Sequence, residues 1–143
     1  MVRIALACDH AGFSLKKKLA VFLEQKQYEL LDVGTHRTEP SDYPDFVHSA
    51  CKLVVSKEAT FGVVICGTGI GSCIAANKIK GIRSGVCWNE EVARLAREHN
   101  DCNVLALPGK HLNYQDSQSI VWTFLNTQFS FEERHVRRIF KLE

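Results

Sequence analysis

A thiol stands immediately before three alternating glycines in Cys66-Gly67-Thr68-Gly69-Ile70-Gly71-Ser72. A glycine-rich turn between a strand and a helix presents backbone N–H groups to an anion. Such groups favour the thiolate of a neighbouring cysteine, which can then act as a base or a nucleophile. The spacing is neither a Walker pattern nor GxGxxG, since no Gly-Lys-Ser/Thr follows and the third glycine comes one residue early. A buried strand-end cysteine followed by a structural turn fits the same residues. Cys8-Asp9-His10-Ala11-Gly12 poses the same choice: Asp and His could bind hydroxyls or phosphate, or carry a proton, or the Asp could cap a helix. His99 and Asn100 end another predicted helix, where a histidine also suits the helix dipole. Arg134 and Arg138 are i and i+4 on a helix, so they share a face, as a phosphate clamp requires. A solvated basic face is the alternative. The remaining cysteines, His36 and His48 show no functional spacing. Trp88, Trp122, Phe124 and Phe140 are expected in the core.

The elements that must hold these residues alternate along the chain. Arg3–Cys8 reads as a buried strand. Phe13–Gln25 has helical spacing, with Lys16, Lys17 and Lys18 expected on the solvent side. Tyr28–Val33 reads as a strand, Thr35–Tyr43 as a loop, and Pro44 as the opening of a helix that runs to about Ser56. Phe61–Cys66 is continuous and β-branched, which fits a strand covered on both faces. Helix Ser72–Lys78, strand Arg83–Trp88, an Asn89-capped helix Glu90–His99 and strand Asn103–Leu107 follow. Helices over Asp116–Asn126 and Glu132–Leu142, the last one basic, complete the pattern. Five strands alternating with helices predict a parallel sheet with helices on both faces, and ligands bind beyond the carboxyl ends of such strands. Cys66 and Cys8 both fall there.

Composition narrows the class of function. The chain has 143 residues, the size of one domain with its own core. Eighteen basic and 16 acidic residues give a net charge of +2, too balanced to point to nucleic acid or a membrane surface. The apolar N-terminal run is broken by Asp9 and His10 and does not read as a secretion signal. With several of the six cysteines inside apolar runs, the expectation is reduced thiols and a cytoplasmic protein. No CxxC pair supplies the usual zinc spacing, and no apolar stretch is long enough to span a membrane.

Taken together the motifs are more specific than any one of them. CDHAG, then DYP at 42–44, CGTGIG at 66–71, AANK at 75–78, GIRS at 81–84, HNDCNVLAL at 99–107 and RHVRR at 134–138 resemble the ribose-5-phosphate isomerase type B family over essentially the whole chain. The resemblance implies one sugar-phosphate isomerase domain over residues 1–143 with a Rossmann-like three-layer α/β sandwich. It implies a homodimer or dimer of dimers whose sites are each built from both subunits. It also implies interconversion of D-ribose 5-phosphate and D-ribulose 5-phosphate without a metal or cofactor. In that image Cys66 is the base and the N–H groups of Gly67, Thr68, Gly69, Ile70 and Gly71 form the oxyanion hole. Thr68 orients the proton on the hydroxyl side, and His99 of the neighbouring subunit assists opening of the furanose ring. Asp9, Tyr43 and Asn100 hold the sugar, while His10, Arg134 and Arg138 hold the phosphate. Lys110 stands where the family commonly has a phosphate-binding Arg, which keeps the charge and loses the fork. Ser72 stands where some members have a Glu base, so the cysteine mechanism is the one implied. A hexose 6-phosphate (allose or galactose 6-phosphate) as substrate, or a non-enzymatic phosphate or nucleotide module, are the alternatives.

Overall fold

Ile4 to Cys8 are all buried, and Arg3–Cys8 forms the first strand, β1. A run with no solvent face has to be covered on both sides. The chain continues through α1 (Phe13–Gln25), β2 (Glu29–Asp32), α2 (Tyr43–Val55), β3 (Phe61–Cys66), α3 (Ile70–Asn77) and β4 (Ser84–Val86). It ends with α4 (Glu90–Asn100), β5 (Val104–Pro108), α5 (Tyr114–Leu125) and α6 (Glu133–Leu142). The computed structural model describes residues 1–143. All strand pairs are parallel, in the order β2-β1-β3-β5-β4. The expected α/β sandwich with a five-stranded parallel sheet is therefore the observed one.

Alternation along the strands decides what each face buries. Ile4, Leu6, Val63, Ile65, Leu105 and Leu107 pack with Leu19 and Leu23 of α1 and with Ile120 and Phe124 of α5. Ala5, Ala7, Val64, Val104 and Ala106 face the other way, against Val47 and Val54 of α2 and Ala76 of α3. Alanine on that face lets the helices lie close to the sheet. The order reverses between β1 and β3, since β1 leads out to β2 on one side and β3 lies on the other. Such a reversal opens a crevice at the carboxyl ends of these two strands. β1 and β3 end at Cys8 and Cys66.

Several boundaries and burials differ from the sequence expectation. β4 spans three residues rather than six: it is an edge strand paired only with β5, and the Arg83 N–H goes to the Asn103 side chain at 2.9 Å. β2, the other edge, is also shorter. α3 starts two residues early, because Gly69 at φ +75° turns the chain straight into the helix. α5 starts at Tyr114, where the Asn113 side chain accepts the Asp116 N–H at 2.7 Å. Asn89 caps α4 as expected, through the Val92 N–H. Lys16 is not on the solvent side but 1% exposed, its ammonium 2.6 Å from Asp32 and 2.7 Å from the Thr35 carbonyl. A buried charge is tolerated only with such partners. Of the four aromatics expected in the core only Phe124 is there; Trp88, Trp122 and Phe140 are exposed.

Candidate active site

Three loops meet at the carboxyl ends of β1, β3 and β5. Asp9 is nearly buried, and its Oδ1 accepts the N–H groups of Ala11 and Gly12 at 3.0 and 3.1 Å. It is therefore a cap whose second oxygen is left for another donor. His10 and Ser41 are tied reciprocally: the His10 N–H donates to Ser41 Oγ at 3.2 Å, and the Ser41 N–H to His10 Nδ1 at 3.1 Å. An accepting Nδ1 leaves the ring proton on Nε2. The loop between β2 and α2 is thereby pinned beside the end of β1.

The glycine loop is held as tightly. The Gly109 N–H donates to the Cys66 carbonyl at 2.8 Å, and the Lys110 N–H to the Gly67 carbonyl at 3.0 Å. Gly69 passes so close to β5 that a Cβ there would lie 3.0 Å from the Leu107 carbonyl carbon, in a backbone conformation that favours glycine. A Cβ on Gly71 would meet the Tyr43 ring at 2.5 Å, so the tyrosine lies directly over the loop. The Lys110 stem runs along Gly67, 3.5 Å from the equivalent point. Its ammonium pairs with no carboxylate of the chain. Cys66 is 5% exposed, at the end of β3.

The family resemblance implies that the five N–H groups from Gly67 to Gly71 form an oxyanion hole, but not all of them are free. The Ile70 N–H donates to Thr68 Oγ1 at 3.2 Å, and both Ile70 and Gly71 belong to α3. The Thr68 hydroxyl keeps its proton to donate. The N–H groups of the first turn of α3 have no acceptor within the helix. Ser72 is fully buried and its hydroxyl is unpartnered.

Four other thiols are chemically quiet. Burial pushes Cys8 and Cys102 up to about 11, and Cys51 and Cys87 up to about 12. Thiolate chemistry at neutral pH is closed to them.

The remaining candidates lie elsewhere. α4 returns antiparallel to β3, so His99 and Asn100 reach the edge where the strands begin. Across β3 that edge is about 17 Å from Cys66, at ~3.3 Å per residue. His99 stacks on His135 of α6, with ring centroids 4.2 Å apart and planes at 18°. Arg134 and Arg138 are exposed on the same helix; Arg134 reaches Glu132 at 3.2 Å and Arg138 pairs with nothing. Glu132 also lies 3.1 Å from His135 Nε2, off the line of a hydrogen bond. One chain thus brings together Asp9, His10, Tyr43, Cys66, the glycine loop and Lys110, and keeps His99, Asn100, Arg134 and Arg138 apart from them. The largest groove, about 810 Å³, is at neither place but along the free edge of β4, between α3, α4 and the end of α6. Asn100 lines it.

A family model described as ribose/galactose isomerase matches residues 4–142. The chain belongs to that family. It is 40% identical over 139 residues to the ribose-5-phosphate isomerase B of Escherichia coli, covering 97% of this chain and 93% of that one. Among solved structures it matches the Clostridium thermocellum ribose-5-phosphate isomerase B at a TM-score of 0.96 and 45% identity, over 99% of this chain and 95% of that one. The Thermotoga maritima ribose 5-phosphate isomerase matches at 0.96 and 46%, over 99% and 97%. No helix of this family member is long and apolar enough to cross a membrane.

Sequence reasoning missed three residues at these two places. Ser41 sits two before Tyr43 and is seen only through its bonds to His10. His135 lies inside the arginine motif, and only its burial and its stacking on His99 set it apart from its basic neighbours. Glu132 lies three residues before His135, a spacing that puts both on one side of a helix.

Proposed function

We propose that this protein interconverts D-ribose 5-phosphate and D-ribulose 5-phosphate through an enediolate, with Cys66 as general base. The observation that carries this reading is the convergence on Cys66 of a glycine loop at a helix N-terminus, the Asp9–His10 turn, Tyr43 and Lys110. The isomerisation takes a proton from carbon 2 of the open-chain aldose and returns it to carbon 1. It needs a base beside the carbon and donors beside the developing oxyanion. Cys66 removes and returns that proton, the free N–H groups of the loop and of α3 hold the oxyanion, and the Thr68 hydroxyl donates on the oxygen side. Asp9 and Tyr43 hold the sugar, and His10 Nε2 and Lys110 hold the phosphate. No metal or cofactor takes part.

His99, Asn100, Arg134 and Arg138 complete the site from a second copy of the chain. His99 opens the furanose ring, Asn100 holds the sugar and the two arginines clamp the phosphate. Three features support a homodimer, or a homotetramer built from it: the sheet-wide separation within one chain, the groove along the outer edge of β4, where no further strand pairs, and the exposed Phe140 and Leu142. The whole chain, 1–143, is then one isomerase domain with a cytoplasmic, small-molecule role. Lys110 supports a second reading, a hexose 6-phosphate as substrate, because a point charge fixes phosphate geometry less strictly than a fork.

A coupled assay for ribulose 5-phosphate with EDTA present tests the reading. Wild-type turnover that is lost in a folded Cys66→Ala variant is the expected result. Turnover retained in Cys66→Ala removes the base. No wild-type turnover with the pentose, but turnover with allose or galactose 6-phosphate, moves the substrate to the second reading.

A further inference from the structure

The corner that follows His99 and Asn100 is locked by two arginines. Asp101 ends α4 in the left-handed region, at φ 44° and ψ 46°. Glycine is the usual residue at such a helix end, because a Cβ is strained there. The aspartate brings a carboxylate, and both of its oxygens are engaged: Arg97 Nη1 donates to Oδ1 at 2.8 Å, and Arg83 Nη2 to Oδ2 at 3.2 Å. The same guanidinium groups take the three carbonyls of the turn. Arg83 Nε donates to Asn100 O at 2.8 Å, Arg83 Nη2 to Asp101 O at 3.0 Å, and Arg97 Nη1 to Cys102 O at 2.6 Å. Arg97 is itself fixed over the Phe61 and Phe124 rings, at 4.9 and 5.8 Å.

We infer that Asp101 and Arg83 are positioning residues, which aim His99 out of its own chain and into the site of a second copy. The inference rests on the reading of His99 as the ring-opening group. A helix end free to fray changes the direction of its last side chains, and small misplacements of a catalytic group cost large factors in rate. Here the last two residues of α4 are followed by a turn whose every carbonyl and carboxylate oxygen is bonded to a fork. The corner therefore keeps one direction without any contact from the Cys66 loop, which lies at the opposite edge of the sheet.

Asp101→Gly separates this role from plain stability, since glycine suits the left-handed cap and removes only the carboxylate. Two readouts are taken with the wild type as control. One is kcat from ribose 5-phosphate, which is largely a closed furanose. The other is deuterium wash-in at carbon 1 of saturating ribulose 5-phosphate in heavy water, an open-chain ketose that needs Cys66 but no ring opening. The expected result is a kcat lowered about tenfold or more with wash-in within about twofold of wild type. Wild-type kcat in the variant overturns the inference, and so does an equal fall of both readouts. If Asp101→Gly does not fold, Arg83→Lys is read by the same criteria, because lysine keeps the charge and cannot bridge Asn100 and Asp101. Wild-type enzyme that turns over neither substrate would sink the functional reading itself, and is thereby told apart from failure of the inference.

Discussion

The Cys66 end of the sheet and the His99 corner are built on opposite plans. At the Cys66 end, three turns from different parts of the chain are bonded to one another. Gly109 and Lys110 hold the Cys66–Gly67 carbonyls, Ser41 holds His10, and Tyr43 covers Gly71. At the corner, two arginines close the turn after α4, one from α4 itself and one from the residue before β4, and α6 adds a stacked imidazole. On the dimer reading proposed above, each region is half of a site, and catalysis depends on the copy next door.

The largest expected effect breaks the first region only. Cys66→Ala should lower kcat about 10³-fold, in line with loss of a general base, while its circular dichroism and Tm stay at wild-type values. A variant with wild-type kcat would empty the comparison of its chemistry.

Complementation sharpens the division next. Cys66→Ala and His99→Asn chains, each inactive, are mixed by partial unfolding and refolding. A random mixture should regain about a quarter of wild-type activity, since half the dimers are mixed and each of those has one intact site. If both groups served one site within a chain, no activity would return.

Gly69→Ala tests the bonded plan of the first region. A left-handed alanine 3.0 Å from the β5 backbone should cost roughly 2–3 kcal/mol, and calorimetry should show a Tm lowered by several degrees. An unchanged Tm would show that the loop can move off β5.

The corner should respond to acid. Burial, then His99 and Arg134, hold His135 below the ordinary imidazole value of 6.5, and Glu132 opposes them. Below that value the unfolded chain binds a proton that the folded chain resists. This contribution is therefore complete above pH 6.5 and is lost as the pH falls toward the lowered value. Tm measured from pH 7.5 down to 5.5 should fall less steeply in His135→Gln than in wild type.

The smallest effect concerns Lys110. Lys110→Arg restores a fork and should lower KM for ribose 5-phosphate by about threefold with kcat unchanged. A lower KM for a hexose 6-phosphate instead would favour the second substrate reading.

Local pattern carried most of what was legible beforehand. The spans of β1, α1 and β3 follow from continuous apolar runs and helical spacing, and the structure gives them the same ends. Gly69 turned the chain earlier than propensity suggested, because a positive φ next to β5 is set by the strand it touches. Lys16 looked like one of three solvent lysines. Its burial depends on Asp32 and the Thr35 carbonyl, which arrive from another strand. Trp88, Trp122 and Phe140 looked like core by residue type, yet hydrophobicity alone does not say which apolar groups a single chain leaves outside.

The sequence by itself determined the alternation of strands and helices, the parallel sheet, and the placing of Cys8–Asp9–His10 and Cys66–Gly71 at strand ends. Those follow from period, glycine and the direction of each strand, all of which are local. Only the tertiary structure decided that Cys66 and His99 lie at opposite edges of one sheet. It also decided that His10 is held by Ser41 and that Arg83 reaches Asp101. These are contacts between residues far apart in the chain, and they exist only once the strand order β2-β1-β3-β5-β4 has fixed which ends meet.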